Sequence, residues 1–97
     1  MRYEIILAPE AVQDLRRLRA ATRVSVKKAL ETHLRHEPKK TSRSRIKRLR
    51  RLRRPQYRLR VEDIRVFYDV SGAAVEILAI VVKSEVEKWL AQFGKPQ

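Results

Sequence analysis

Arg58, Arg60 and Arg65 fall on one face of a single predicted hairpin, and that placement is a chemical statement. Gln56–Val70 reads as two short strands joined by a two-residue turn at Glu62-Asp63. Side chains alternate along a strand, so Tyr57, Leu59 and Val61 share one face of the first strand, and Arg58 and Arg60 the other. In the second strand Ile64, Val66, Tyr68 and Val70 share a face, with Arg65 and Phe67 opposite. The register set by a two-residue turn puts Val61 against Ile64, Leu59 against Val66, Arg60 against Arg65 and Arg58 against Phe67. Like charges directly opposed in a sheet are destabilising, so this face is expected to hold an anion. Guanidinium forks grip phosphate bidentately but do not give up a proton near neutrality. Lys83, at the end of the next apolar strand, lies at the rim of the same face. Neighbouring positive charge and partial burial both favour a neutral lysine, which makes it the candidate proton carrier. Tyr57 and Tyr68 lie on the opposite face and read as core.

The remaining elements must present this hairpin. Arg2–Leu7 reads as a strand with Tyr3, Ile5 and Leu7 on one face. Ala8-Pro9-Glu10 opens a helix, with proline where a missing N–H is harmless and an acid near the positive end of the dipole. Val12, Leu15 and Leu18 form its apolar stripe. Ala20-Ala21 reads as a break, and Thr22 as the cap of a second helix to about His36, carrying Val26, Leu30, His33 and Leu34 at helical spacing. Pro38 ends it, and Lys39–Ser44 reads as a surface loop. Ile46–Leu52 is a short irregular strand or a loop, since its apolar residues do not alternate. Val75–Val82 is almost continuously apolar, the pattern of a central strand covered on both faces. Ser84 and Glu87 have capping-box spacing, ahead of a last helix with Val86, Trp89, Leu90 and Phe93 on one face and Gly94 and Pro96 at its end.

The expected fold is therefore α+β: one small sandwich domain over residues 1–97. An N-terminal strand, a helical hairpin, a three-stranded antiparallel meander and a C-terminal helix follow in order. The helical hairpin covers one sheet face, and the arginines occupy the other.

Charge narrows the partners. The net charge is +13, and Pro38–Val61 holds twelve basic residues and no acidic one. The rest of the chain holds twelve basic against eleven acidic residues, so the excess is one contiguous segment. A localised basic segment is the footprint of a nucleic acid or of an acidic protein. Within it Lys47, Arg48, Arg50, Arg51, Arg53 and Arg54 are the candidate nucleic-acid contacts. Neutralising about six phosphates gives a salt slope of about −4 to −5 in log K. There is no cysteine, hence no disulfide, thiolate zinc site or thiol nucleophile. The acids are scattered and no His/Asp/Glu set has ligand spacing, so neither metal nor cofactor is expected. His33 and His36 are assigned structural roles. No apolar run approaches the roughly 20 residues that span a bilayer, and the N-terminus does not read as a signal peptide, so a soluble, cytoplasmic protein is expected.

At the hairpin the sequence resembles the RelE/ParE superfamily of toxins from type II toxin–antitoxin pairs. Tyr57-Arg58-Leu59-Arg60-Val61 followed by Ile64-Arg65-Val66-Phe67-Tyr68 is similar to that superfamily's central signature. The apolar strand ending at Lys83 before a short helix, and the helical hairpin after the first strand, match as well. The resemblance implies two possible activities. In the RNA-cleaving branch the toxin enters the ribosomal A site and cuts messenger RNA by attack of a 2′-OH on the adjacent phosphate. Arg58 and Arg60 match two basic positions of that branch, Arg65 matches an arginine on the scissile phosphate, and Lys83 matches a basic residue ending the last strand. In the ParE branch the same fold poisons DNA gyrase without this cluster. Either branch implies a cognate acidic antitoxin.

Cleavage through the 2′-OH requires removal of its proton, stabilisation of a dianionic phosphorane and protonation of the leaving oxygen. Arg58, Arg60 and Arg65 meet the second requirement, and Lys83 alone is available for the others. The RNA-cleaving branch commonly carries a tyrosine or histidine after the last strand, whereas this chain has Ser84-Glu85-Val86-Glu87-Lys88-Trp89. Trp89 falls on the apolar face of its helix and reads as core. The leading expectation is a metal-independent mRNA endonuclease that inhibits translation. The alternatives are a gyrase inhibitor and a toxin-fold protein that binds nucleic acid or antitoxin without cutting.

Overall fold

The computed structural model describes residues 1–97. Strand β1 (Glu4–Leu7) leads into helix α1 (Pro9–Arg17) and helix α2 (Ala20–Ala29), which widens into a π-helical turn over Leu30–Leu34. Then come β2 (Ile46–Arg48), β3 (Leu52–Arg54), β4 (Tyr57–Val61), β5 (Ile64–Ser71) and β6 (Ala74–Val82). A 3-10 turn at Lys83–Glu85, helix α3 (Val86–Phe93) and a two-residue strand β7 (Lys95–Pro96) complete the chain.

The main sheet has the order β1-β6-β5-β4-β2, with β1 parallel to β6 and the other neighbours antiparallel. The α+β architecture is as expected, with three short strands beyond the first strand and the meander. β2 pairs with β4, so the irregular stretch after Ser44 does supply an edge strand. Leu49–Arg51 turns the chain back, and β3 then pairs with β7 as a separate two-stranded ribbon. The β4–β5 register is the one expected: Val61 opposite Ile64, Arg60 opposite Arg65, Leu59 opposite Val66 and Arg58 opposite Phe67.

One sheet face packs against α1 and α2. Leu59, Val66, Tyr68, Val75 and Ile77 from the strands and Val26, Leu30 and Leu34 from the second helix are buried there. The latter three are four residues apart, one stripe of a helix. On α1 the closest approach is made by Ala11, fully buried, while Val12 is only half-buried. A small side chain lets the helix axis come nearer the sheet, so the stripe is rotated one residue from Val12. Asp14 Oδ2 then accepts the Ile80 N–H at 2.9 Å, just past the irregularity where β6 inserts Leu78 between the partners of Phe67 and Tyr68. Tyr3 and Arg35 tie β1 to the end of the helical hairpin, Tyr3 N–H donating to the Arg35 carbonyl at 2.7 Å and Arg35 Nη1 donating to the Tyr3 carbonyl at 3.0 Å.

Three local expectations are corrected. The break between the helices lies at Leu18-Arg19, both extended, and not at Ala20-Ala21. Thr22 is inside α2, whose cap position is Arg19 with no side-chain bond. Instead Arg23 Nη1 reaches back to the Leu18 carbonyl at 3.1 Å, satisfying an acceptor at the end of α1. The capping box at Ser84 does not form, because Lys83–Glu85 is a 3-10 turn and α3 starts two residues later without a side-chain cap.

The larger correction concerns the second face. It is not given over to arginine alone: α3 lies across half of it. Phe67, Ala79 and Val81 form a second core under Val86, Trp89 and Leu90. Trp89 stacks on Phe67 at 4.8 Å between centroids and 10° between planes, a favourable offset geometry for aromatic pairs. Phe67 fell in the arginine row by alternation and is the residue that recruits the helix. Gly94 closes α3, and a Cβ there would meet the Leu90 carbonyl oxygen at 2.6 Å, so the chain turns into β7 where only glycine fits.

Candidate nucleic-acid interface

The half of the second face left uncovered by α3 carries Arg58, Arg60 and Arg65, with Lys47 opposite Arg58 on β2. The covered face of the same strands positions them. Leu59 and Val66 are fully buried, so neither strand can slip by one residue without exchanging its two faces.

Arg65 is the only charged side chain that is buried, at 9% exposure. Its Nη1 donates to the carbonyls of Glu62 at 2.8 Å and Ile64 at 3.0 Å. The guanidinium is thereby locked to the hairpin turn through one nitrogen, leaving Nε and Nη2 without a protein partner. Glu62 has φ +55°, a left-handed conformation costly to a side chain with a Cβ, and the bond from Arg65 to its carbonyl supports that turn. Arg58 is half-buried, and its Nη2 donates to the Ser44 carbonyl at 3.2 Å. Its Nε is fully buried with no partner. Burial, then the charges of Arg65 and Arg60, push the Arg58 pKa below the usual arginine range. Arg60 is exposed, directly across from Arg65. None of the three forms an ion pair, nor does Lys83. Unpaired buried charge and an unsatisfied buried donor are both costly, and no acid of the chain offsets either one on this face.

Lys83 stands at the end of β6, its backbone N–H donating to the Asp63 carbonyl at 2.8 Å. This places it beside the β4–β5 turn at the Arg65 end of the cluster, where it is exposed and not partly buried as expected. Both tyrosines are on the covered face as expected. Tyr68 is fully buried, its hydroxyl donating to the Pro38 carbonyl at 2.6 Å, and burial followed by the neighbouring Tyr57 pushes its pKa well up. It is a structural donor. His36 Nδ1 lies 3.3 Å from the Met1 carbonyl, and His33 Nε2 lies 3.0 Å from Arg45 Nη1. No three His, Cys, Asp or Glu side chains converge.

The six candidate contacts in the basic run divide. Lys47 shares the arginine face. Arg48 lies on the opposite face over the Tyr57 ring, its Cζ 5.2 Å from the ring centroid, and its Nη1 donates to the Gln56 carbonyl at 2.8 Å. Arg54 is engaged internally, with Asp69 at 3.4 Å and Glu76 at 3.2 Å. Arg50, Arg51 and Arg53 are exposed around the turn into β3, held by the β3–β7 ribbon. Sequence spacing does not show these pairings, because Arg54 meets its acids only through the long-range fold.

A broad concavity lies elsewhere. It is a groove of about 900 Å³ between α1 and α3, along β6 beyond the end of β1, and none of the three arginines lines it. Its lining mixes basic and acidic side chains, Arg17, Arg54, Lys88 and Lys95 with Glu10, Asp14 and Glu85, whereas no acid accompanies the arginine cluster.

Architecture and site together define a small RelE-like protein: a helical hairpin on one sheet face and a cluster of bare arginines on the other. The fold is similar to that of the toxin–antitoxin complex RelBE2 from Mycobacterium tuberculosis, with a TM-score of 0.72 at 23% identity over 84% of this chain and 99% of that one. It is also similar to the RelE–RelB complex from Pyrococcus horikoshii, with a TM-score of 0.62 at 22% identity over 86% and 97%. A mutant of Escherichia coli toxin RelE in the free state gives 0.56 at 20% identity over 94% and 93%. Among curated proteins no sequence matches. The model of the ParE toxin of type II toxin–antitoxin systems, parDE, matches residues 5–86. The chain belongs to that family, and is a type II toxin of the RelE/ParE superfamily.

Proposed function

We propose that this toxin is a metal-independent endoribonuclease that cuts messenger RNA in the ribosomal A site and so inhibits translation. The observation that carries the reading is the uncompensated cluster itself: Arg58 with a buried, unpartnered Nε, beside Arg65 with two free nitrogens and no acid. A phosphate placed between them satisfies those donors and relieves the repulsion. In the phosphorane its second negative charge strengthens the same bonds, which is transition-state stabilisation. Arg60 spreads positive charge over the adjoining backbone, and Lys83 at the rim carries the proton. With no tyrosine or histidine on this face, proton transfer is the weak half of the machinery, and intrinsic cleavage away from the ribosome is expected to be slow. An acidic antitoxin would neutralise the same field, as the antitoxin-bound state of the similar folds supports.

The test is expression of wild type and of Arg65→Ala/Lys83→Ala in growing bacteria, with primer extension on transcripts. New 5′ ends with wild type, and their loss by about 100-fold or more in the double variant, are expected if phosphate clamp and proton carrier both act. Intact transcripts with wild type would remove the nuclease reading. The match to ParE favours a second reading, gyrase inhibition without chemistry. Purified protein that traps gyrase on cleaved DNA would establish it. Equal growth with and without expression would point to a toxin fold that only binds nucleic acid or antitoxin.

A further inference from the structure

A second concavity, of about 380 Å³, opens where the loop before β2 wraps the edge of the sheet. Its walls are polar: Thr41, Ser42 and Ser44 from the loop, the cations Lys40 and Arg45, the one acid Glu37, and His33 from the helical hairpin. Ile46 is the one apolar side chain in the lining. The walls are pre-set. Ser42 Oγ accepts the backbone N–H groups of Arg45 at 3.0 Å and Ile46 at 3.2 Å, and the Ser42 N–H donates to the Ile46 carbonyl at 2.9 Å. The Arg45 guanidinium has no acidic partner, and its one bond goes to the neutral acceptor His33 Nε2 at 3.0 Å. Burial, and then the Arg45 charge, hold the His33 pKa below its ordinary value, which keeps that acceptor available. Glu37 offsets Lys40 at 3.6 Å, and Arg45 remains uncompensated.

This concavity is joined to the arginine face by two bonds. Arg58 Nη2 donates to the Ser44 carbonyl at 3.2 Å, and the Arg60 N–H donates to the Arg45 carbonyl at 2.8 Å. The loop that walls it is thus bonded to the strand that bears the clamp. We propose that it is a second phosphate subsite, and that a single RNA strand runs from Arg65 and Arg58 round the β2 edge to seat a further phosphate between Arg45 and Lys40. Loop hydroxyls complete the cradle as donors. This inference rests on the reading of the arginine face as an RNA-phosphate clamp. It extends the footprint beyond the scissile phosphate and accounts for an arginine paired only to a neutral histidine.

Oligonucleotide length separates the two sites. The 2′-fluoro oligomers of three and eight nucleotides lack the attacking hydroxyl and report binding alone. With wild type the octamer binds more tightly and has the steeper salt dependence. In Lys40→Ala/Arg45→Gln, octamer affinity falls by about tenfold and its log–log salt slope becomes shallower by about 0.7, the value for one phosphate no longer neutralised on a single strand. Trimer affinity changes by less than about twofold, since a trimer covers only the arginine face. Octamer binding unchanged in that variant overturns the subsite, and so do equal losses for both lengths, with thermal melting confirming that the variant is folded. Arg58→Ala/Arg65→Ala is expected to weaken the trimer and the octamer alike. Unchanged trimer binding there overturns the clamp reading itself, and the subsite with it.

Discussion

The two faces of the β4–β5 hairpin share one backbone and one register, yet the chain completes only one of them. On the helical face Leu59, Val66 and Tyr68 are fully buried, and the one polar atom among them, the Tyr68 hydroxyl, has its acceptor at Pro38. On the other face Arg58, Arg60 and Arg65 have backbone carbonyls or nothing, and a buried Nε has no partner. The difference teaches which face stores stability and which is left with unmet donors. Burial of apolar area on the first holds the strands in place. The second keeps donors that no group of this chain meets, and these are the ones the proposed phosphate would satisfy.

Paired truncations break that contrast most directly. Leu59→Ala removes a fully buried side chain and is expected to cost about 2–5 kcal/mol in denaturant unfolding. Arg58→Met, one strand position away and of similar length, is expected to change stability by no more than about 1 kcal/mol, since the half-buried side chain gives up one bond to the Ser44 carbonyl and, with it, an unpartnered buried Nε. It should at the same time weaken RNA binding, by less than the Arg58→Ala/Arg65→Ala double variant. A large loss of stability in Arg58→Met would mean that the arginine face is structural after all. Tyr68→Phe is the intermediate case. It keeps the ring stacked on Tyr57 at 5.4 Å and strips the partner from the Pro38 carbonyl, with an expected loss of about 1–2 kcal/mol and no change in transcript cleavage. Loss of cleavage at intact stability would assign the phenol to catalysis instead.

The sequence made the first face legible and the second only half so. Strict alternation from Tyr57 to Tyr68 sets the register, because apolar burial punishes a one-residue slip. The stripe Val26, Leu30, Leu34 is legible for the same reason. What alternation cannot show is which element covers a mixed row. Phe67 stands among arginines, and Val75–Val82 is apolar on both faces, so a cover over Phe67, Ala79 and Val81 was implied by composition. That it is α3, with Trp89 stacked on Phe67, required the three-dimensional return of the chain. The division of the basic run has the same origin. Arg54 faces Asp69 and Glu76, which lie 15 and 22 residues away in the chain, and no local spacing predicts a partner at that distance. The missed caps are a different matter. Thr22 and Ser84 satisfy the pattern, but the extended Arg19 moves the first cap three residues earlier and the 3-10 turn moves the second one residue later, to Glu85.

The smallest expected effect lies at the sheet edge, where the two faces meet. His33 is held below its ordinary pKa of 6.5 by burial first and by Arg45 second, and its neutral Nε2 accepts from Arg45. A histidine with a lowered folded pKa binds fewer protons folded than unfolded, so its contribution is present above 6.5 and is lost as pH falls through the folded value. Thermal melts of wild type and His33→Gln between about pH 7.5 and about pH 5 isolate the term, since Gln offers Arg45 an acceptor that does not titrate and the other acids are common to both. Wild type should lose stability more steeply than His33→Gln across that window, by a small margin because the ring is only partly desolvated. Parallel curves would show that the ring does not change charge between the folded and unfolded chain. Bound octamer sharpens the result, because a phosphate beside Arg45 screens the charge that depresses His33 and favours imidazolium. The excess slope of wild type should then shrink or invert, and it should do so with the octamer and not with the trimer.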